Sequence, residues 1–174
     1  MQLTTGKMPF KIEFDNGDVE TIYINPNDRG LMERLRNFEG KVQERAKRID
    51  GEKYSKMINH SAPEVDLNDI DALLNLAPEQ IDALCDNLDV LGKVEDEYND
   101  AIREELDAVF QSPVSKSVFK YCQPFDMMEH TDRKGNVTRE PYVMQFIRGL
   151  ADEIRNQAMA NQAAVQKHIA KYSK

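Results

Sequence analysis

The chain has no tryptophan, two cysteines and three histidines among its 174 residues. With aromatics at only 7%, its core has to rest on Leu, Ile, Val, Phe and Met. Cys85 and Cys122 form neither a CxxC pair nor a disulfide framework, which points to a reducing, cytosolic setting. No stretch approaches the ~20 apolar residues of a membrane span. The opening MQLTTGKMPFKIEF lacks the basic flank and apolar segment of a secretory signal. The protein is therefore expected to stay where it is made and to have no membrane partner.

Catalytic and cofactor chemistry is equally thin. No glycine-rich phosphate loop occurs. Ser112, Ser115 and Ser117 lie in QSPVSKS without a GxSxG elbow, and nucleophilic catalysis needs a base beside the hydroxyl. Ser112 before Pro113 reads instead as an N-cap with proline at the first helical position. In YCQPFDMMEH, Asp126, Glu129 and His130 fall at i, i+3, i+4, with Cys122 four residues earlier. One helical turn would bring them together, but no second His/Cys pair stands at a zinc-like spacing, and His60 and His168 are isolated. DLNDIDALL lacks the central glycine and closing glutamate of a calcium loop. The expectation is a non-enzymatic protein with no metal and no cofactor.

The net charge of −8 hides a division. Between Ile58 and Ser112 there are 15 acidic and 2 basic residues, a net of −13, whereas 28–57 carries +3 and 113–174 carries +4. A pI near 5.0 opposes nucleic-acid binding. The acidic centre is suited to pairing with the basic flanks, to solvating a helix face, or to meeting a basic partner.

The pattern along the chain predicts an α+β, mostly α fold: an N-terminal β-hairpin followed by a helical bundle with a long acidic central helix. Phe10, Ile12 and Phe14 alternate with polar residues, and Asn16-Gly17 is a type I′ turn signal. Pairing Phe14 with Val19 places Ile12 opposite Thr21 and Phe10 opposite Tyr23, giving a hairpin over 10–24. A lone hairpin is marginal in water, so its apolar residues (Phe10, Ile12, Phe14, Val19, Tyr23) are candidates for self-association as well as for packing. INPND supplies a turn and a helix cap. Leu31, Leu35, Phe38, Val42, Ala46 and Ile49 then mark an amphipathic helix over about 28–49, with Arg34, Arg36, Lys41, Arg45, Lys47 and Arg48 outward.

After a fading stretch over 51–63 comes a short helix capped at Asp66. A long helix starts near Pro78, with Leu84, Leu88, Leu91, Tyr98, Ile102 and Val109 as its stripe. Asp132 to Asn136 reads as a turn around Gly135, flanked by weak strands or an ordered loop. Pro141 opens a last helix with Val143, Phe146, Ile147, Leu150 and Ile154 on one face. Residues 1–155 read as a single domain, and 156–174 as a polar tail, helical or disordered.

The sharpest feature is the junction REELDAVFQSPVSKSVF, where the acidic helix stops and a basic segment begins. Hairpin, amphipathic helix, then an acidic helix ending Leu106, Asp107, Val109, Phe110, a break, and Val114, Val118, Phe119: this order resembles the tail assembly chaperones of long-tailed phages that infect Gram-positive hosts. YVMQFIRGLADEI fits the aromatic and aliphatic helix expected next. The family often has glycine where this chain has Gln111, so the break here is assigned to Ser112-Pro113. The EHTDRKGNVTREP segment and the polar tail lie outside the match.

The resemblance implies a host-cytoplasmic binding protein that coats the tape measure protein and yields to the tail tube protein, while the hairpin and the heptad-like stripe of the long helix favour a homo-oligomer. Phe110, Val114, Val118, Phe119, Val143, Phe146 and Leu150 are then the candidate partner-binding residues. A rival reading is a small acidic inhibitor or DNA mimic, presenting the carboxylates between Glu79 and Asp107 to a basic site on a host enzyme.

Overall fold

Alternation at the N-terminus and 3.6-residue periodicity elsewhere give the fold expected of them. The computed structural model describes residues 7–25, 28, 30–56, 62–63, 65–131 and 135–172. Strands β1 (Met8–Glu13) and β2 (Val19–Ile24) precede helices α1 (Leu31–Lys56), α2 (Ile70–Leu74), α3 (Pro78–Phe110) and α4 (Ser115–Val118). Strands β3 (Met127–Thr131) and β4 (Val137–Pro141) lead into α5 (Tyr142–Tyr172). The fold is α+β and mostly α. Both sheets are two-stranded and antiparallel.

The chain divides into two compact units, one of 1–43 with 102–174 and the other of 44–101. In the first, the hairpin and the helices share one core. Ile12, Ile22, Ile24, Leu35, Phe38, Val42, Ile102, Leu106, Val118, Val143 and Leu150 are buried together. Edge-on ring contacts fasten the hairpin: Phe10 meets Phe146 at 6.1 Å and Phe14 meets Tyr121 at 5.0 Å. In the second unit Ile49, Ala83, Val94 and Tyr98 are buried beside Asn87. Tyr98 donates its hydroxyl to Glu52, and Lys53 and Lys56 pair with Glu95 and Glu97.

The hairpin register differs by one residue from the sequence expectation. Phe10 faces Ile22 and Ile12 faces Glu20, with Glu13 opposite Val19. The Gly17 N–H donates to the Phe14 carbonyl at 2.9 Å and Gly17 takes φ 83°, whereas Asn16 has no positive φ. This is a three-residue loop with glycine in the left-handed position, not a two-residue type I′ turn. Asn16 instead accepts the Asp18 N–H through its side chain, a local bond that satisfies the turn without a left-handed Asn.

Three element boundaries also move. Helix α1 runs on to Lys56 instead of ending near Ile49. Helix α2 is capped by Asp69, which accepts the Ala72 N–H at 3.0 Å, while Asp66 closes its own local turn onto Asn68. Capping by Asp69 reaches the third residue on, the usual geometry. Gly135 takes φ 84° between β3 and β4, so the flanking segments are strands. Pro26 and Asn27 of the expected cap, 57–61 with His60, and Asp132 to Lys134 of the expected turn lie outside the described residues. Helix α5 continues through most of the polar tail, to Tyr172.

A candidate partner-binding junction

Helix α3 must end somewhere, and its last carbonyls then need partners. They find them in an ordered way. The Ser112 N–H donates to the Asp107 carbonyl at 3.1 Å and the Gln111 N–H to the Ala108 carbonyl at 3.3 Å. That pair of bonds is the Schellman ending, which requires a left-handed residue, and Gln111 supplies it at φ 53°. The Val109 carbonyl accepts Arg34 Nε at 2.8 Å from α1.

Arg34 is thus drawn inward, against the expectation that it lies on the outer basic face. Its other guanidinium edge meets Asp28 at 2.7 Å, and Asp28 also accepts the Gly30 N–H at 2.9 Å. These bonds hold the Asp28 carboxyl below its ordinary range, with Arg34 the largest cause. Asp28 therefore caps α1 while orienting the arginine that closes α3.

The restart of the chain is built by the helix it has just left. Asp107 accepts both the N–H and the hydroxyl of Ser115, at 2.7 and 2.9 Å. Ser112 is not the cap: α4 begins at Ser115, and its preceding residue Val114 makes no side-chain capping bond. A carboxylate eight residues back, already fixed on α3, outcompetes the adjacent serine.

Around this junction the seven candidate partner-binding residues come together, but inside. Val118, Val143 and Leu150 are wholly buried, Val114, Phe119 and Phe146 nearly so, and Phe110 is half-buried. A partner reaches them only if this unit opens. The self-association candidates split by face. Ile12 is in the core and Phe10 and Phe14 pack against it, whereas Val19 and Tyr23 are 52% and 62% exposed. The one-residue register difference makes this split, because a shift of one turns a side chain to the other face.

Beside the junction lies a cleft lined by the hairpin turn (Phe14 to Asn16), Tyr121, Cys122, Met128, Tyr142 and Gln145. Lys120 clamps the turn from below, at 2.8 Å from Glu20 and 3.2 Å from Asp18, and Tyr121 donates to Asp18. The Tyr121 bond and then Lys120 hold Asp18 below the usual carboxylate range; Glu20 and Asp18 together raise Lys120. These groups are exposed to water, so the clamp is a positioning device more than a source of stability. Burial pushes the Cys122 thiol up to about 11 and the Tyr142 hydroxyl bonded to it up to about 12. A thiol so raised is protonated near neutrality and is a poor nucleophile.

The grouping of Asp126, Glu129 and His130 on one helical turn, which the sequence spacing would allow, does not form. Met127–Thr131 is a strand, so residues 126, 129 and 130 do not share a helical turn. Asp126 accepts the Gln123 N–H at 2.7 Å, and Glu129 pairs with Arg139 across the ladder at 3.0 Å. Among the described residues no group of three or more His, Cys, Asp or Glu could hold a metal ion. Among the described residues, too, no helix is long and apolar enough to cross a membrane.

Sequence reasoning missed Asp107, Arg34 and the Cys122–Tyr142 pair because each acts on a residue distant in the chain. Gln111 carried a usable signal, since it stands where a helix ending favours glycine. Comparison with protein-family models, with curated proteins and with solved structures gives no match.

Proposed function

We propose that this chain is a tail assembly chaperone of a long-tailed phage, acting in the host cytoplasm. It binds the tape measure protein, keeps it soluble, and helps recruit tail tube subunits. The observation that carries this reading is the order hairpin, amphipathic helix, long acidic helix, sharp ending at Gln111 and short restart at Ser115. That order is the one on which the resemblance rests.

The surface is compatible with such a role. A tape measure presents long amphipathic helical seams, and covering them takes apolar surface together with an acidic exterior that keeps the complex dispersed. Val19 and Tyr23 of the hairpin, and Ile70 and Leu74 of α2, are exposed apolar side chains amid carboxylates.

The test is co-expression with a tape measure fragment that precipitates alone, followed by size-exclusion chromatography with light scattering. A soluble complex larger than either chain is the expected result. If the fragment stays insoluble and the chain elutes unchanged, the reading fails.

A further inference from the structure

Strand β1 has a neighbouring strand on one side only, because its sheet is two-stranded with the order β1-β2. The turn fixes which residues face the open edge. The Phe14 N–H donates to the Asp18 carbonyl at 2.9 Å, so alternation turns the backbone groups of Ile12 and Phe10 towards β2. Those of Lys11 and Glu13 then point away from β2. Among the described residues no hydrogen bond reaches them, and no ion pair engages either side chain. Both residues are exposed. Next to Glu13 and Phe14 lies the cleft beside the junction, not a packed element.

This edge is self-complementary. Phe10-Lys11-Ile12-Glu13-Phe14 reads the same in both directions except that lysine and glutamate exchange. Two copies of β1 running antiparallel about Ile12 set Lys11 of each opposite Glu13 of the other. Ile12 then meets Ile12, and Phe10 meets Phe14. Because the N–H and C=O of Lys11 and Glu13 point outward, each Lys–Glu pair exchanges both of its backbone bonds. The charges attract across the pair, and Phe10 and Phe14, half-buried in one copy, gain cover on the core face.

Other registers are disfavoured. Sliding the strands by two residues, the smallest step that keeps outward groups matched, sets Lys11 against Lys11 or Glu13 against Glu13. Like charges directly opposite destabilise a ladder. Pro9, the next outward residue, has no N–H to give and stops a longer ladder.

We propose that two copies of this chain dimerise by antiparallel addition of β1 to β1, with Lys11 of each copy against Glu13 of the other. The contact is isologous, and the two hairpins become one four-stranded sheet in the order β2-β1-β1-β2. This inference concerns the chain with itself, and no tape measure fragment enters its test.

Light scattering over a concentration series compares the full chain with Lys11→Glu, Glu13→Lys, the exchanged Lys11→Glu/Glu13→Lys, and Lys11→Pro. Circular dichroism verifies that each keeps its secondary structure. The wild type is expected to rise from the 20.0 kDa monomer to twice that mass and no further. Either single reversal sets like charges opposite and weakens association roughly tenfold or more. Mixing the two single reversals restores a heterodimer, and the exchanged chain restores the homodimer, since lysine again meets glutamate. Lys11→Pro removes an outward N–H while sparing the ladder to β2, and weakens association likewise.

A wild type that stays monomeric overturns the proposal, as does association that grows beyond the dimer or is indifferent to the single reversals. Reversals that weaken association without rescue in the mixture also overturn it, because the two charges then do not face each other.

Discussion

The carboxylate of Asp107 receives both the backbone N–H and the hydroxyl of Ser115, at 2.7 and 2.9 Å, so the end of α3 caps the start of α4. Between them the chain reverses through Gln111 in a left-handed conformation. The junction is thus a closed hydrogen-bonded loop, and several measurable properties depend on it.

Asp107→Ala removes both acceptors and leaves the first N–H of α4 without a partner. The expected loss is about 1–2 kcal/mol, the usual cost of a deleted helix cap, read by urea denaturation. Ser115→Ala loses only the hydroxyl bond and costs less. If the two variants are equally stable, the bidentate cap has no energetic role.

Gln111→Gly should stabilise. A left-handed non-glycine residue costs roughly 1–2 kcal/mol, and glycine's greater unfolded-state freedom takes back about 0.5–1 kcal/mol. The net expectation is a gain of about 0.5–1 kcal/mol, whereas a β-branched Gln111→Val loses stability. Thermal melting of the two variants reads the sign directly. A destabilised glycine variant would mean that the Gln111 side chain, not its backbone, holds the turn.

Alkaline pH should unfold the first unit in a defined window. Burial raises Cys122 from 9.0 to about 11 and Tyr142 from 10.0 to about 12. Between the two values of each group the unfolded chain has released a proton that the folded chain still holds. Stability is therefore fully present below pH 9 and falls as pH rises towards 12. Cys122→Ala should flatten the lower part of this decline. Maleimide labelling gives a second readout at pH 7, where exposed Cys85 reacts and Cys122 lags until the unit opens.

Burial separates the candidate partner residues from the exposed ones. Leu150→Ala deletes a wholly buried side chain and should cost about 2–5 kcal/mol. Val19→Ser and Tyr23→Ser alter exposed positions and should change stability by about 0.5 kcal/mol or less. Denaturation midpoints measured beside tape measure solubilisation distinguish folding loss from binding loss. A Tyr23→Ser chain that folds normally yet fails to solubilise the fragment assigns the outer hairpin face to the partner.

What the sequence determined is what neighbours in the chain can decide. Alternation of Phe10 and Ile12 with polar residues made β1, and Pro78 with the apolar periodicity after it made α3, because each signal lies within one turn or one pleat. The junction was legible as a stop and a restart for the same reason.

Tertiary structure decided which faces are used. On α3 the expected stripe held at Tyr98, Ile102 and Val109. Towards the N-terminus, however, the buried residues are Ala83, Asn87 and Val94, and Leu88 faces out. Hydrophobicity alone favoured leucine, but the side chain that is covered depends on where a neighbouring element passes. Small Ala83 and short Asn87, both buried, fit that approach.

The hairpin register, the inward turn of Arg34 and the cap on Ser115 share this origin. Each depends on a group far along the chain or on one φ angle, as at Gly17 and Gln111. Local propensity sets which elements form, and packing selects the side that each one buries.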